Sequence, residues 1–386
     1  MPMRMAHSSI GWLVALACGL GCGPAVPIQQ VPKVDQNGGG ALDASAPVAL
    51  HEDHLHPAVL GTQTADSLYA DALGQSKPLA PKPTTFEADK VKVSAELCTV
   101  ADGKLVGPNG TELYSAIRVV GDRVAVLFGA PTQIKVYKVE SGAGCTLALD
   151  TSAGDAGTIK LNHESVEKLS ADTQGRLYGT SSGSGMLRFK KDFSIDYKCS
   201  AEPGGHYVPH ASARWGFAFS ATGALANVDF GASDCRSESA FLDPGNHAGP
   251  FSSIDALAFS GELAVVGGSL ADSGKKTVAA FTKAGKEVYR LGSGPASPHA
   301  DFSSVTALSV CKGGICVLDA VARVVSLWSS DGKKHIVDIP MGKLLDLHEV
   351  QLSDFTVGKV GTFVAASQER DVKRVHEGLI YRLSGL

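Results

Sequence analysis

Histidine is concentrated in short segments that lead into apolar, strand-like stretches of this chain. Eight of the 12 histidines fall within residues 86–386, and six of these eight lie in only five such segments. The segments LNHES, HYVPHAS, GNHAGPFSS, SPHADFSS and DLHEV contain His163, His206, His210, His247, His299 and His348. Neutral imidazole is a preferred ligand of Zn²⁺ and Cu²⁺. We therefore predict a divalent transition-metal site, with zinc or copper as cofactor, on His163, His210, His247, His299 and His348.

A second interpretation gives these histidines no metal. The segments NHAGPFSSIDAL and PHADFSSVTAL are near copies, and duplication of a repeat also copies loop residues that have no function. Loop histidines often hydrogen-bond to backbone carbonyls. The distance from histidine to the following strand also varies between segments, so the imidazoles need not meet at one height. The sequence leaves both interpretations open.

A β-hairpin pattern recurs six times between Tyr114 and Leu386. Each copy is an apolar alternating strand, a tight turn that contains glycine, and a second β-rich strand. The copies are AIRVVGDRVAVLF (116–128), VEKLSADTQGRLYGT (166–180), RWGFAFSATGALANV (214–228), IDALAFSGELAVVGG (254–268), VTALSVCKGGICVLD (305–319) and EVQLSDFTVGKVGTFVAA (349–366). The turn glycines run from Gly121 to Gly361, which is 240 residues over five steps and a mean period of 48. Antiparallel strands at this period predict an all-β, six-bladed propeller over residues 86–386.

The two ends of this region complement each other. KVKVSAELCTV (90–100) resembles the outer strand of a blade, but no blade precedes it, whereas GLIYRL (378–383) resembles a third strand that lacks its fourth. Pairing the two predicts a composite closing blade, which covers strand edges that would otherwise be exposed.

Composition agrees with a β-rich domain and excludes one class of partner. The chain has 44 glycines, 18 prolines, 19% charged residues and a net charge of −4. Because lysine and arginine are scattered and form no basic stripe, we expect no nucleic-acid binding. We expect the propeller to be a monomer.

The first 85 residues predict export and a linker. Residues 1–22 have Arg4 near the start and an apolar stretch too short to span a bilayer, which indicates a signal peptide. Residues 23–85 are rich in Pro, Gly, Ala and Ser without periodicity, which predicts a disordered tether.

The end of the signal peptide resembles the lipobox of bacterial lipoproteins. Gly19-Leu20-Gly21 precedes Cys22, and Cys18 is a second candidate. The resemblance implies lipidation of Cys22 and anchoring to the outer membrane or cell surface. Ordinary cleavage would instead leave the protein periplasmic or secreted.

The remaining cysteines are typical of an exported protein. Six lie beyond the signal region, an even number that predicts three disulfides. Cys311 and Cys316 flank the turn of the fifth hairpin, so we predict that they pair. Cys98, Cys145, Cys199 and Cys235 allow three connectivities, among which the sequence does not choose.

The repeat resembles the six-bladed propellers of the NHL and related families. IKVYKV (134–139), MLRFKK (186–191), TVAAFTKAGK (277–286) and VVSLWSSDGK (324–333) occupy the place of the family's third strand. Some propellers of this type hold a catalytic metal on histidines from separate blades, notably the peptidyl-hydroxyglycine lyase. That likeness is one of architecture and not of motif.

Two functions follow from these patterns. The first is a surface- or periplasm-displayed lipoprotein whose propeller loop face binds an envelope protein, peptide or glycan. The alternative is a metal-dependent lyase or hydrolase with a histidine-lined site at the channel mouth. We favour binding and assign no enzymatic activity, because no nucleophile elbow, P-loop or Cys-x-x-Cys pair is present.

Overall fold

The strands of this computed structural model form a six-bladed β-propeller, which confirms the predicted fold. The structure describes residues 84–88, 90–100, 114–128, 132–142, 144–161, 166–181, 185–199, 206–210, 212, 215–219, 225–229, 236–242, 250–291, 302–347, 350–370 and 375–386. The predicted signal peptide and Cys22 lie outside the described residues, as does all of the predicted tether except its last two residues. No helix within the described ranges is long and apolar enough to cross a membrane.

The strands follow one another along the chain in blade order. Three strands precede blade 1: β1 (Thr84–Ala88), β2 (Val91–Leu97) and β3 (Thr99–Val100). Blade 1 consists of β4 (Tyr114–Val120), β5 (Arg123–Phe128), β6 (Gln133–Val139) and β7 (Thr146–Leu149), with a short β8 (Thr158–Lys160) beside β6. Blade 2 consists of β9 (Lys168–Ala171), β10 (Leu177–Ser181), β11 (Gly185–Phe189) and β12 (Ile195–Cys199). Blade 3 consists of β13 (His206–Pro209), β14 (Trp215–Phe219), β15 (Leu225–Asp229) and β16 (Arg236–Leu242).

The second half of the chain repeats this order. Blade 4 consists of β17 (Phe251–Ser260), β18 (Leu263–Leu270), β19 (Lys276–Phe281) and β20 (Glu287–Arg290). Blade 5 consists of β21 (Ala307–Cys311), β22 (Gly314–Asp319), β23 (Val324–Trp328) and β24 (His335–Pro340). After a one-turn helix α1 (Met341–Leu344), blade 6 begins with β25 (Val350–Gly358), β26 (Gly361–Arg370) and β27 (Val375–Ser384).

Blade 6 is completed from the other end of the chain. Strand β2 pairs antiparallel with β27, with Ala95 opposite Leu383, and β1 adds a fifth strand outside β2. The neighbouring β3 pairs with β7 of blade 1. One continuous segment therefore joins the last blade to the first, as the predicted composite blade requires.

The hairpins form where the sequence alternates and turns on glycine. In blade 1, Val120 pairs with Arg123 across a two-residue turn whose Gly121 has φ +64°. In blade 4, Ser260 pairs with Leu263 across a turn whose Gly261 has φ +59°. Glycine adopts this left-handed conformation without the steric penalty of a Cβ atom, and two-residue hairpin turns favour it.

Blade 3 departs from the prediction. The segment 214–228 was expected to supply the first hairpin of its blade, but it spans β14 and β15, the second and third strands. The inner strand is β13, which has only four residues and ends at Pro209. Four residues are too few to show a pattern of alternating apolar and polar residues, and proline cannot donate a hydrogen bond to a β-ladder. The sequence therefore gives no clear strand signal here.

The core lies between the blades. The buried apolar side chains of the described residues form six clusters, each drawn from two adjacent blades. The cluster between blades 6 and 1 contains Ile117, Phe363 and Ile380 with essentially no exposure, so the closing interface is packed like the others. This ring of interfaces holds the inner strands β4, β9, β13, β17, β21 and β25 around a central channel.

Disulfides secure the closing region and one hairpin. Cys98 and Cys145 are joined with Cα atoms 4.5 Å apart, which links the segment between β2 and β3 to the start of β7. Cys311 and Cys316, the pair favoured above, are joined across the β21–β22 hairpin with Cα atoms 5.9 Å apart. Cys199 is also disulfide-bonded.

Candidate binding site at one end of the central channel

The two ends of the channel each hold a cavity. Each inner strand lines the first cavity near its start and the second cavity near its end. The first, of about 470 Å³, we call the charged mouth. Seven acidic or basic residues line it: Arg118, Glu167, Lys168, His206, Asp255, Lys276 and Asp354. The second, of about 480 Å³, lies at the hairpin turns around Gly121, Gly358 and Lys359, and we call it the turn-side mouth.

Asp354 and Arg118 join blade 6 to blade 1 at the charged mouth. The Arg118 guanidinium donates to Asp354 Oδ2 at 2.7 Å, and the backbone N–H of Ile117 donates to the same oxygen at 2.9 Å. The N–H of Phe355 donates to Asp354 Oδ1 at 2.8 Å. Asp354 is buried, so these charge-assisted bonds satisfy a carboxylate that would be costly to leave unpaired.

A second group of charges links blade 2 to blade 4. Lys276 Nζ lies 2.5 Å from Asp255 Oδ2, with both side chains about a third exposed. Lys168 reaches from the start of β9 to the same residue, where its Nζ donates to the backbone carbonyl of Asp255. The Lys168 side chain therefore extends from blade 2 to blade 4, past the inner strand of blade 3.

His206 is held neutral at this mouth. Burial lowers the pKa of His206 to about 4, and the positive charge of Lys168 acts in the same direction. Its Nδ1 lies 3.2 Å from Thr180 Oγ1, and its Nε2 lies 3.6 Å from Glu167 Oε2. Because the imidazole is uncharged near pH 7, the Glu167 contact is not an ion pair there. His206 instead supplies a neutral donor and acceptor to the cavity.

The walls between these charged groups are apolar. Ile254, Leu257, Leu308 and Phe219 line the cavity, and the Phe219 ring lies 5.4 Å from the His206 ring. Blade 5 contributes Ser304 and Thr306. The charged mouth therefore combines apolar surface with fixed charges of both signs, the arrangement typical of sites that bind amphipathic groups.

The histidines predicted to bind a metal are distributed differently. His163, His247, His299 and His348 lie outside the described residues, and the described ranges hold no group of three or more potential metal ligands. The shared metal site stays a prediction.

His210 lies away from the charged mouth. It follows the last residue of β13, whereas His206 is the first residue of that strand, so the two are at opposite ends of the channel wall. Its ring stacks on Trp215 at 4.3 Å and meets Phe259 edge-on at 5.1 Å. Its Nδ1 lies 3.0 Å from Ser212 Oγ, and its Nε2 lies 3.3 Å from the Gly261 carbonyl. These contacts place His210 in an aromatic cluster between blades 3 and 4.

The charged mouth was not identified from the sequence, although a signal for it exists. Four of the six inner strands contain one charged residue in a largely apolar segment: Arg118 in AIRVV, Lys168 in EKLSA, Asp255 in IDALAF and Asp354 in LSDF. A charged residue that recurs in inner strands indicates polar groups along the channel.

Comparison with known proteins assigns no family to the chain. No protein-family model matches the chain, and no curated protein matches it. A solved chain of the mitotic checkpoint complex is similar at 14% identity and TM-score 0.46, covering 77% of this chain and 88% of that one. The WD40 propeller domain of Doa1 is similar at 13% identity and TM-score 0.46, covering 71% and 93%. A chain of the nidogen/laminin complex is similar at 10% identity and TM-score 0.43, covering 68% and 94%. At this level of similarity we infer nothing about ligands, and the NHL-like type remains a prediction.

Proposed function

We propose that this protein is an exported lipoprotein whose propeller binds a protein partner through the charged mouth. The observation that carries the proposal is the convergence of polar side chains from all six blades on one cavity of about 470 Å³. Propellers host many functions, so the proposal is based on this site rather than on the fold.

The charged mouth is pre-organised for binding. Arg118 is paired with the Asp354 carboxylate at 2.7 Å, and Lys276 with the Asp255 carboxylate at 2.5 Å. The strands that carry these residues are fixed by packing between blades. A site whose side chains are already ordered loses little conformational entropy when a ligand arrives.

The chemistry of the cavity favours a polypeptide segment as the ligand. Long charged side chains have an apolar stem and a charged end. The apolar wall formed by Ile254, Leu257 and Leu308 fits such a stem, and the surrounding charges of both signs pair with its end. We infer that a projecting loop of the partner inserts a lysine, arginine or glutamate into the channel.

The predicted tether and lipid anchor complete this proposal. A lipid on Cys22 and a flexible linker over residues 23–85 would display the propeller away from an envelope membrane as a monomer. Two or more acyl chains give stable membrane attachment. Replacing Cys22 with serine should release the protein into the soluble fraction, with Cys18→Ser as the matched control. Retention of the Cys22→Ser protein in the membrane, with no acyl group on Cys18, would contradict lipidation at Cys22.

Site-specific photo-cross-linking tests which mouth binds the partner. Thr306 lines the charged mouth and Ser309 lines the turn-side mouth, three residues apart in the same blade and both partly buried. A photoreactive residue is introduced at one or the other position of the full chain in its native envelope. We expect a discrete protein adduct from position 306 and none from position 309.

The adduct then has to be reproduced with purified components. The protein identified by mass spectrometry should bind the purified full chain and compete with cross-linking at position 306. Adducts only from position 309, or equally from both positions, would overturn the assignment to the charged mouth. An adduct at position 306 that is not protein would overturn the class of partner.

A further inference from the structure

Lys168 is placed differently from the other cations of the charged mouth. It is the first residue of β9, its side chain is partly buried, and it lines the 470 Å³ cavity. Its Nζ donates to the backbone carbonyl of Asp255 and lies 5.5 Å from the centre of the Phe219 ring. The amine is therefore held at a fixed place beside an open cavity.

The surroundings of Lys168 lack the carboxylate that would fix its charge. Arg118 is paired with Asp354 and Lys276 with Asp255, but no carboxylate of the described residues lies within ion-pair distance of Lys168 Nζ. Its partners among the described residues are a neutral backbone carbonyl and an aromatic ring. An ammonium has three N–H donors, so this site satisfies a protonated lysine incompletely.

The electrostatic balance points the same way. Burial lowers the pKa of Lys168 below its ordinary value, and the charge of Arg118 lowers it further, while Asp354, Asp255 and Glu167 act in the opposite direction. Three further titratable groups line the same cavity: His206 and Tyr207 on β13, and Lys276 on β19. The neutral amine, which is the nucleophilic form, is therefore more populated than in an exposed lysine.

We propose that Lys168 is a nucleophilic amine that captures small aldehydes or ketones as an imine in the charged mouth. The amine lone pair attacks the carbonyl carbon and gives a carbinolamine, which loses its hydroxyl group and a proton from nitrogen as water. One amine and one carbonyl thus give one imine and one water, and no oxidant or reductant is needed. This activity does not depend on partner binding.

The cavity sets the class of carbonyl compound. A volume of about 470 Å³ lies within the range of small-molecule sites, about 300–1,000 Å³. The Phe219 ring lies beside the amine, and Ile254 and Leu257 form apolar wall, so an aromatic or short aliphatic aldehyde fits best. His206 is neutral near pH 7 because burial lowers its pKa to about 4. Its imidazole lines the same cavity and adds no positive charge there at pH 7.

Reductive trapping tests this proposal in the full-length protein. The protein is incubated with benzaldehyde and cyanoborohydride at pH 7, and benzylated lysines are quantified by peptide mapping. Lys276, in the same cavity but ion-paired, and Lys138, half exposed and paired with Asp150, serve as internal controls. We expect Lys168 to be labelled at least about two-fold faster than either, because a lowered pKa leaves more of the neutral amine at pH 7.

Two further measurements test whether the fast labelling comes from the lowered pKa of Lys168. The labelling rate of Lys168 should level off at a lower pH than that of the control lysines. In a Lys168→Arg variant the fast-labelling site should disappear, whereas a Lys276→Arg variant should keep it. Labelling of Lys168 no faster than Lys276, or with the pH dependence of an ordinary lysine, would overturn the proposal. Because the rates are read site by site in the wild-type protein, poor folding of a variant would not affect this conclusion.

Discussion

The two mouths of the channel have nearly equal volumes and different chemistry. The charged mouth encloses about 470 Å³ and the turn-side mouth about 480 Å³, and the same six inner strands line both. The inner strands place Arg118, Lys168, Asp255 and Asp354 at the charged mouth. Near their ends the described lining residues include only three acidic or basic side chains, Arg118, Asp172 and Lys359, against seven at the charged mouth, together with hairpin turns and apolar side chains such as Val357 and Val310. Size therefore does not distinguish the ends, whereas the placement of charge does.

This difference shows how a repeat becomes specialised. Each repeat supplies the same strand to both mouths, and what varies between repeats is the type of the residue that faces the charged mouth. Charged side chains there are held across blades, Arg118 by the carboxylate of Asp354 and Lys168 by the backbone carbonyl of Asp255. The polar contacts that close the ring at the charged mouth are thus the same contacts that shape the cavity.

The largest expected effect comes from removing the closing strands, which eliminates both mouths at once. Deletion of residues 84–100 removes β1 to β3, leaves the edge of β27 unpaired and breaks the Cys98–Cys145 link. We expect loss of cooperative thermal unfolding, measured by calorimetry. Deletion of residues 23–80, predicted to be a tether, should leave the transition almost unchanged. A sharp transition without residues 84–100 would show that the ring does not need its composite blade.

The next largest effect comes from comparing two substitutions on strand β25, one at each mouth. Asp354 and Thr356 lie two residues apart on β25, and each accepts a hydrogen bond from the backbone of β4. We expect Asp354→Ala to reduce the free energy of unfolding by about 3–5 kcal/mol, because it leaves Arg118 without its partner in a largely buried pair. Thr356→Val, at the turn-side mouth, should cost about 1 kcal/mol. Urea denaturation of both variants provides the comparison, and equal losses would contradict it.

A smaller effect depends on pH. Because burial lowers the pKa of His206 to about 4, the unfolded chain binds a proton more readily than the folded protein. The stabilisation is fully present above the ordinary histidine pKa and is lost as pH falls from about 6.5 towards 4, by on the order of 3 kcal/mol. Unfolding free energies at pH 7 and pH 4 should differ less in a His206→Gln variant than in the wild type. An identical pH dependence in both proteins would show that His206 is not desolvated.

The sequence predicts the ring better than the site. The sequence pattern located the first hairpin correctly in five of the six blades, because alternating apolar residues and turn glycines are local signals. The inner strand of blade 3 was missed because β13 has four residues and includes Pro209. The charged mouth was missed because Lys168 and Asp255, 87 positions apart, meet only when the blades close into a ring. His206 and His210, close in sequence, proved to lie at opposite ends of a strand.

The central claim is that the charged mouth binds the partner, and a matched pair of lysines tests it most directly. Lys276 lines the charged mouth and Lys359 lines the turn-side mouth. With the partner found by cross-linking, the dissociation constant is measured by calorimetry for the wild type, Lys276→Met and Lys359→Met. We predict at least about ten-fold weaker binding for Lys276→Met, since truncating a buried interfacial charge costs about 2 kcal/mol or more. Lys359→Met should bind like the wild type. Unchanged binding by Lys276→Met together with weakened binding by Lys359→Met would contradict the claim.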